Sequence, residues 1–355
     1  FLNAIAGALL TVLFIFTIVV LIFTPVFILI FAPGFYIDPE KKDLSIQVLR
    51  IMFPYLALIS LVAFASGIQN THQKFSIPAF TPVVFNVILI VAASVIAPNY
   101  NMPILVLAWG VLLAGFVQVI IQVSPLINID KLPVPKLDFN NEGVKKFMSI
   151  IFPAIIAGGI LQINLLIDTI FASLLETGSP TWLYISDRLI QFPMGIFAIA
   201  IGTVLLPTLS KYDLSTEKNN FISTIKKGQK FVLFIGIPSL IGLFYCAEDL
   251  ISTIFYRGAF TEADVINSSY SLMAFSFGLP FFMLMKVLTP AFFSRKDTTT
   301  PMRVALISLF LNAALNYYLA FVLDLGHVGI AIGSSLAALV SVCILEFILY
   351  RSGLI

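Results

Sequence analysis

An apolar stretch of this sequence carries two adjacent charges. Asp187 and Arg188 stand side by side in YISDRLIQFPMGIFAIAIGTVLLP, residues 184–207. An arginine at the centre of a bilayer costs about 2.5–3.5 kcal/mol on insertion scales, so its presence calls for a partner or a task. Its planar, permanently charged fork suits phosphate. Two interpretations stay open: Arg188 faces a substrate cavity, or it belongs to a structural ion pair. Because neighbouring helical residues point about 100° apart, the two charges are not expected to share one partner.

A second polar set consists of oxygen-bearing side chains. Asp168 lies deep in LQINLLIDTIFASLL, and Asn312 and Asn316 share one helix face in LFLNAALNYY because they are spaced i, i+4. One carboxylate and two amide oxygens are suitable ligands for a hard cation, and a carboxylate in lipid could instead take up a proton. Hydrogen bonding that holds helices together is the competing interpretation. Lys286, in FFMLMKVLTPAFF, either lines a cavity or pairs with a carboxylate such as Asp168.

The elements that carry these residues are predicted to be membrane helices. The chain is 59% hydrophobic and 11% charged, with a mean hydropathy of +1.04, whereas soluble domains carry about 25% charged residues. Apolar stretches of about 20 residues recur along its length. The sequence therefore predicts an all-α polytopic membrane protein. We expect ten transmembrane helices, near residues 4–31, 51–70, 80–97, 103–126, 147–175, 181–207, 229–255, 266–293, 302–323 and 327–350.

Other chemistry-bearing residue types give little signal. Cys246 and Cys343 lie on different predicted spans and are expected to be small core residues, so no metal site is predicted. His72 and His327 are expected to be solvated in loops. The sequence lacks a Walker loop and an HExxH motif, so no catalytic residue and no cofactor are predicted. Energy would come from a sodium or proton gradient, from the membrane potential or from a partner protein.

The positive charges are distributed unevenly between the two sets of connecting segments. Fourteen of the 20 Lys and Arg residues fall in one set and four in the other. The positive-inside rule places the richer set in the cytoplasm, so both ends of this chain are predicted to be cytoplasmic. The net charge of +2 is too small to imply a nucleic-acid partner, and the sequence has no basic stripe, so none is predicted.

An internal repeat indicates how the helices are organised. LVLAWGVLLAGFVQVII (105–121) aligns with VGIAIGSSLAALVSVCI (328–344), with seven identities in 17 positions at a shift of 223 residues. The shift covers six helices, so the copies share one orientation and predict two pseudo-symmetric six-helix lobes. We expect a partial N-terminal lobe of four helices at 1–130, a cytoplasmic linker at 131–146 and a C-terminal lobe at 147–355. The first lobe would lack two helices, as in a fragment of a longer protein.

Four blocks of the sequence resemble the MurJ (MviN) family. They are RIMFPYLALISLVAFASGIQNTHQKFSIPAFTPVVFN (50–86), DRLIQFPMGIFAIAIGTVLLPTLSK (187–211), FYRGAFT (255–261) and KVLTPAFFSRKDTTTP (286–301). The family consists of lipid II flippases of the multidrug/oligosaccharidyl-lipid/polysaccharide exporter superfamily. The resemblance implies fourteen helices, of which this chain would hold the third to the twelfth. It also implies a central cavity between two lobes that opens alternately to either side of the bacterial inner membrane.

The resemblance also implies a substrate and the residues that bind it. Family members carry undecaprenyl-diphosphate-linked disaccharide-pentapeptide, lipid II, to the outer leaflet for peptidoglycan synthesis. An arginine at the position of Arg188 is thought to meet the diphosphate, and Asp187 matches an acidic family position. Some members have Glu where this chain has Gln191, which leaves only hydrogen bonding expected there. With Lys286, these residues are the predicted substrate-binding set. Asp168 matches an acidic position in part of the family, which favours the cation or proton site.

The expected partners follow from the same resemblance. They are lipid II, membrane lipids and other cell-wall synthesis proteins, and the chain is expected to act as a monomer. An exporter of another lipid-linked saccharide or of drugs is the alternative function, and a non-transporting scaffold is a third. The cationic Arg188 and Lys286 favour an anionic substrate over a cationic drug, and a scaffold would not need charges within the membrane.

Overall fold

The computed structural model describes residues 2–138, 141–213 and 215–355. In the helix that begins at Glu142, the side chains of residues 150, 152–158, 160 and 161 are also outside the description. Residues 139 and 140 of the predicted linker therefore lie outside the described residues. Every regular element among the described residues is a helix, which confirms the predicted all-α class. These residues divide into two compact units, 1–157 and 158–355. The predicted limits of the lobes and linker stay predictions.

Unit 1 holds seven α-helices and the start of an eighth. They are α1 (Leu2–Ile22), α2 (Thr24–Phe31), α3 (Pro33–Ile37), α4 (Pro39–Met52), α5 (Tyr55–Thr71), α6 (Ser76–Val91), α7 (Pro103–Asn128) and α8 (Glu142–Leu174). A π-helical turn, Ala92–Ile96, and a 3₁₀ turn, Ala97–Asn99, extend α6. Four of these helices have proline at N1 or N2, where the missing N–H removes no helical hydrogen bond.

Unit 2 holds the end of α8, a large apolar core and seven further α-helices. They are α9 (Ser179–Pro193), α10 (Ala200–Leu209), α11 (Lys218–Tyr245), α12 (Ala247–Phe255), α13 (Glu262–Phe293), α14 (Thr299–Tyr317) and α15 (Gly326–Arg351). Two π-helical segments, Met194–Ile199 and Tyr318–Val322, follow α9 and α14. Helix α13 lies at the centre, since it packs against α9, α11 and α15 and buries Leu272, Leu279 and Met283 completely.

The predicted membrane spans agree with these helices. Nine helical segments in the described residues are long and apolar enough to cross a membrane. The tenth predicted span, 147–175, falls on α8, whose fully described apolar part is Gln162–Leu174. The largest differences concern the spans at 51–70 and 229–255. The first falls on a helical segment that begins at Pro39, and in the second α11 begins at Lys218 and the chain breaks at Cys246 before α12. The chain is a multi-pass, all-helical membrane protein.

The helix bounds follow the repeat seen in the sequence. Pro39–Thr71, Ser76–Asn99 and Pro103–Asn128 shifted by 223 residues meet Glu262–Phe293, Thr299–Val322 and Gly326–Arg351, with five bounds identical and one differing by one residue. A glycine lies at the same place in both copies, Gly110 in α7 and Gly333 in α15. A Cβ at Gly110 would lie 3.1 Å from Ala92 Cβ, and one at Gly333 would overlap the Asn316 amide oxygen. Glycine therefore allows the same close helix crossing in both copies.

Two minor predictions were wrong. Cys246 and Cys343 are exposed rather than buried in a core. His327 is only 6% exposed, because it lies in the first turn of α15, with its Nε2 3.1 Å from the Asn267 carbonyl oxygen. Its ring packs on the ring of Trp182, with the centroids 4.7 Å apart. A lone histidine near a helix start does not reveal from the sequence which helix will cover it.

Candidate functional site

Helix α9 presents one polar face because its other face is anchored to α13. Trp182 Nε1 donates to Asp264 Oδ1 at 2.8 Å, and Ser186 Oγ donates to the Ser268 carbonyl oxygen at 2.7 Å. Residues three and four apart share a helix face, so these anchors point Tyr184 and Arg188 away from α13. Both of those side chains are exposed. At the far end of α9, Pro193 leads directly into the π-helical segment Met194–Ile199.

Three of the predicted substrate-binding residues lie together on α9. Arg188 Nη1 donates to Gln191 Oε1 at 3.3 Å, and Gln191 Nε2 donates to Asp187 Oδ2. The expectation that Asp187 and Arg188 would not share a partner was wrong. Gln191 lies four residues after one and three after the other, so its two-ended amide reaches both. Gln191 therefore acts through hydrogen bonds, as the sequence predicted.

The Arg188 guanidinium is not part of an ion pair in the described residues. The salt bridge found among the described residues joins Lys41 to Asp38, which lie far from Arg188 in the sequence. The Arg188 Cζ instead lies 4.7 Å from the centroid of the Tyr184 ring, over its face. A guanidinium has five N–H donors, and one hydrogen bond is seen for Arg188 in this part of the chain. The group therefore keeps both its charge and free donors for a ligand.

Lys286 lies on α13, and its side chain makes no hydrogen bond or ion pair with Asp187, Arg188 or Gln191 among the described residues. Its side chain is exposed, and its carbonyl oxygen would lie 3.0 Å from a Cβ added at Gly202. The suggested pairing with Asp168 does not form in the described residues, where neither side chain has an ion pair. Asp168 is instead held by Asn316. The other interpretation of Lys286, that it lines a cavity, stays a prediction.

The second polar set is a network of four side chains, the polar ring, made by Asp168, Asn316, Asn312 and Ser334. Asn316 Nδ2 donates to Asp168 Oδ1 at 2.6 Å and to Asn312 Oδ1 at 3.1 Å. Asn312 Nδ2 donates to Ser334 Oγ at 2.9 Å, and the Ser334 hydroxyl lies beside the Asp168 carboxylate. The ring joins α8, α14 and α15. The sequence indicated the first three members, but it gave no signal for Ser334, since a serine in an apolar helix usually bonds to its own backbone.

Two oxygen atoms beside this ring have no partner in the described residues. They are Asn316 Oδ1 and Asn164 Oδ1, and both are buried. Asn164 lies one turn before Asp168 in α8, while Asn316 Oδ1 faces Gly333 of α15. Leaving a buried amide oxygen without a hydrogen-bond donor is costly, and two such oxygens lie here. No group of three His, Cys, Asp or Glu side chains that could hold a metal ion exists among these residues.

The sequence of the whole chain matches one family. The family described as "Lipid II flippase MurJ" matches residues 1–355. The chain belongs to the MurJ family. A relative from Vibrio cholerae, called a probable lipid II flippase MurJ, is 41% identical over 91% of this chain. This chain spans 62% of that relative's length.

Solved structures agree with membership of the MurJ family. A structure of lipid II flippase MurJ in an inward closed conformation has a TM-score of 0.83 and 27% identity, covering 99% of this chain and 72% of the other. A multidrug resistance MATE transporter of the MOP superfamily has a TM-score of 0.73 at 12% identity, covering 99% of this chain and 81% of the other. The second similarity concerns the fold alone. The resemblance that the sequence blocks indicated is confirmed.

Proposed function

We propose that this protein moves lipid II from the inner to the outer leaflet of the bacterial inner membrane by alternating access. Membership of the MurJ family, over the whole chain, is the observation that carries the proposal. The charge distribution supports a topology with residues 1 and 355 on the cytoplasmic side. The protein would act as a monomer, with lipid II and membrane lipids as its partners and other cell-wall synthesis proteins as further candidates.

Arg188 is the residue proposed to bind the diphosphate of lipid II. No carboxylate among the described residues lies within ion-pair distance of its guanidinium, which has free N–H donors. Two parallel N–H groups of arginine match two phosphate oxygens, which fixes the orientation of the ligand as well as its charge. Gln191 and Asp187 would hold the guanidinium from one edge. Lys286 would add a second positive charge to the substrate path.

The ring of Asp168, Asn312, Asn316 and Ser334 is proposed as the site of a coupling cation, sodium or a proton. Rotation of the Asn316 amide group by half a turn about its Cβ–Cγ bond would exchange its two ends. The unpaired Oδ1 would then point where Nδ2 now points, toward Asp168 and Asn312. Oxygens of Asp168, Asn312 and Asn316 would then converge, an arrangement that needs a cation or a proton between them. The cation would thus replace the Asn316 N–H groups. The membrane potential would act on the same step, since 100 mV is worth about 2.3 kcal/mol per elementary charge moved.

The repeat supports a task for this ring beyond helix packing. At the offset of 223 residues, Asn312, Asn316 and Ser334 correspond to Leu89, Ala93 and Val111 of unit 1. The helices of both units cross at an equivalent glycine. Apolar side chains therefore suffice for this crossing, and the polar set in unit 2 is an addition. A buried polar network that packing does not require is costly to keep, which favours ion binding.

The decisive experiment measures arrival of lipid II at the outer leaflet. The complete native gene is expressed in cells depleted of their own lipid II flippase, and exposed lipid II is scored by an enzyme that cleaves it from outside. We expect the protein to restore arrival, Arg188→Ala to reduce it at least tenfold, and Arg188→Lys to be intermediate because lysine keeps the charge without the fork. Arg257→Ala is the matched control, since Arg257 is exposed in a loop outside α9.

The outcomes separate the parts of the proposal. If the protein is inserted and abundant but restores no arrival, the lipid II assignment falls. If Arg188→Ala supports arrival as well as the parent protein, flipping stands but Arg188 is not the diphosphate ligand. If Arg257→Ala is as defective as Arg188→Ala, the defect reflects net charge or folding rather than a substrate contact.

A further inference from the structure

Arg188 lies on an aromatic ring that the diphosphate proposal does not use. The Tyr184 ring is one helical turn before Arg188, and the guanidinium carbon lies 4.7 Å from the ring centroid. Residues four apart stand above one another on a helix surface. A cation over the face of an aromatic ring is attracted by the negative charge of that face. The ring is therefore one of the contacts that fix the position of the guanidinium.

The Tyr184 ring contributes little to the packing of unit 2. Tyr184 is 59% exposed and lies outside the apolar core. The buried side of α9 is instead made by residues such as Trp182 and Ile190, which are 4% and 2% exposed. Removing the Tyr184 ring would therefore leave the packing of α9 on α13 intact.

Two contacts hold the guanidinium from different directions. The ring supports one flat face, and Gln191 accepts a hydrogen bond from one edge, at Nη1. Gln191 is itself held by Asp187. A planar group supported on a face and at one edge loses most of its rotational freedom, so its remaining edge is presented in a fixed direction. Preorganised donors bind an anion more tightly because the cost of ordering them has already been met.

We propose that Tyr184 is a positioning residue, whose ring holds the Arg188 guanidinium with its free edge toward the diphosphate of the substrate. The inference rests on the function proposed above and deepens it. The ring acts through Arg188, and the phenolic hydroxyl is not needed. Lysine at position 188 would benefit less, since an ammonium is a compact point charge without a flat face to stack.

The test is a double-mutant cycle on the complete protein in lipid nanodiscs, with binding of purified lipid II as the measurement. We expect Tyr184→Leu to weaken binding roughly 2- to 30-fold, the range of a cation–π contact, and Tyr184→Phe to bind like the parent. In an Arg188→Ala background, Tyr184→Leu should cause no further loss. Phe192→Leu is the matched control, because Phe192 is 71% exposed on the same helix and has no ring contact with Arg188 in the described residues.

Several results would overturn the positioning role. One is a Tyr184→Leu variant that binds as tightly as the parent. Another is that Tyr184→Leu weakens binding as much in the Arg188→Ala background as in the parent. That result would mean that the ring contacts the substrate itself or supports the fold. A third is a Tyr184→Phe variant as weak as Tyr184→Leu. If the parent binds lipid II no better than undecaprenol, which lacks the diphosphate, the proposed function fails and lipid II binding no longer measures the Tyr184 contact.

A second measurement needs no substrate, so it tests the contact between Tyr184 and Arg188 even if the protein does not bind lipid II. Phenylglyoxal modifies accessible guanidinium groups, and mass spectrometry reports its rate at Arg188, with Arg257 as an internal reference. We expect Tyr184→Leu to raise the rate at Arg188 at least twofold, because the ring covers one face, while Tyr184→Phe and Phe192→Leu leave it unchanged. An unchanged rate in Tyr184→Leu overturns the proposed contact.

Discussion

Gly333 allows the polar ring of unit 2 to form, so replacing it with alanine should disrupt that ring. A Cβ at this position would overlap Asn316 Oδ1 and lie 3.2 Å from the Asn316 backbone nitrogen. The backbone of α14 resists movement, so the amide must turn away. Its hydrogen bonds to Asp168, at 2.6 Å, and to Asn312, at 3.1 Å, would then be lost.

The size of the effect follows from three contributions. Each hydrogen bond contributes about 1 kcal/mol to the free energy of unfolding, and a buried polar group left without a partner costs about 1–3 kcal/mol. Alanine in place of glycine within a helix returns about 1 kcal/mol. With two hydrogen bonds lost, the net destabilisation is about 2–4 kcal/mol, which corresponds to roughly 4–16 °C in the midpoint for a domain the size of unit 2.

The assay is thermal unfolding of the purified complete protein, followed by tryptophan fluorescence, in sodium chloride and in choline chloride at equal ionic strength. Gly242→Ala is the control, since a Cβ there meets nothing within 4 Å and should leave the midpoint equal or slightly higher. We expect sodium to raise the midpoint of the parent and of Gly242→Ala. We expect no sodium effect in Gly333→Ala or in Asp168→Asn.

The reasoning would be refuted by a Gly333→Ala protein that unfolds at the same temperature as Gly242→Ala. In that case the alanine is accommodated without moving the amide. A Gly333→Ala protein that is less stable but keeps the full sodium effect would separate the ring from ion binding. A parent protein that shows no response to sodium, but whose stability changes with pH through Asp168, would identify the proton as the bound cation.

Two further predictions concern the ends of helices in unit 2. Asp297 Oδ1 accepts the Thr300 N–H at 2.9 Å, and this backbone hydrogen bond lowers the pKa of Asp297 below its usual range. A lowered pKa in the folded state stabilises above the unfolded value of about 4 and is lost as the pH falls through the folded value. Asp297→Ala should therefore lower stability at pH 7 by about 0.5–1 kcal/mol, with the difference shrinking below pH 4 in chemical unfolding. Asp297→Asn should keep the hydrogen bond from the Thr300 N–H without this pH dependence, and a constant Asp297→Ala difference at all pH values would contradict the prediction. Gly178 has a φ of +111°, and a Cβ there would overlap the Trp182 ring. Gly178→Ala should destabilise unit 2 by about 1–3 kcal/mol and shift Trp182 emission to longer wavelength as the ring moves into a wetter place; an unchanged spectrum and midpoint would show that the strain is relieved locally.

The sequence predicted the membrane character and the helices well because these depend on local properties. An apolar run of about 20 residues has few alternatives to a transmembrane helix. The four resembling blocks likewise identified the MurJ family, which the match over residues 1–355 confirms. Spacing within one helix was informative too, since Asn312 and Asn316 lie on one face and hydrogen-bond to each other.

Contacts between helices were beyond the sequence. Asp168 pairs with Asn316 rather than with Lys286, and Ser334 accepts a hydrogen bond from Asn312, because the packing of α8, α14 and α15 decides which side chains meet. His327 is buried for the same reason, since Trp182 of α9 covers it. Periodicity states which face a residue occupies but not which helix lies opposite.

The sequence by itself determined that an arginine stands in an apolar helix with a carboxylate beside it and an amide one turn on. Only the tertiary structure decided that the amide of Gln191 joins Asp187 to Arg188 and that the Tyr184 ring supports the guanidinium. The reason is that α9 had first to be turned by its anchors on α13. Those anchors, from Trp182 and Ser186, connect residues 82 positions apart in the chain, a distance that no local pattern spans.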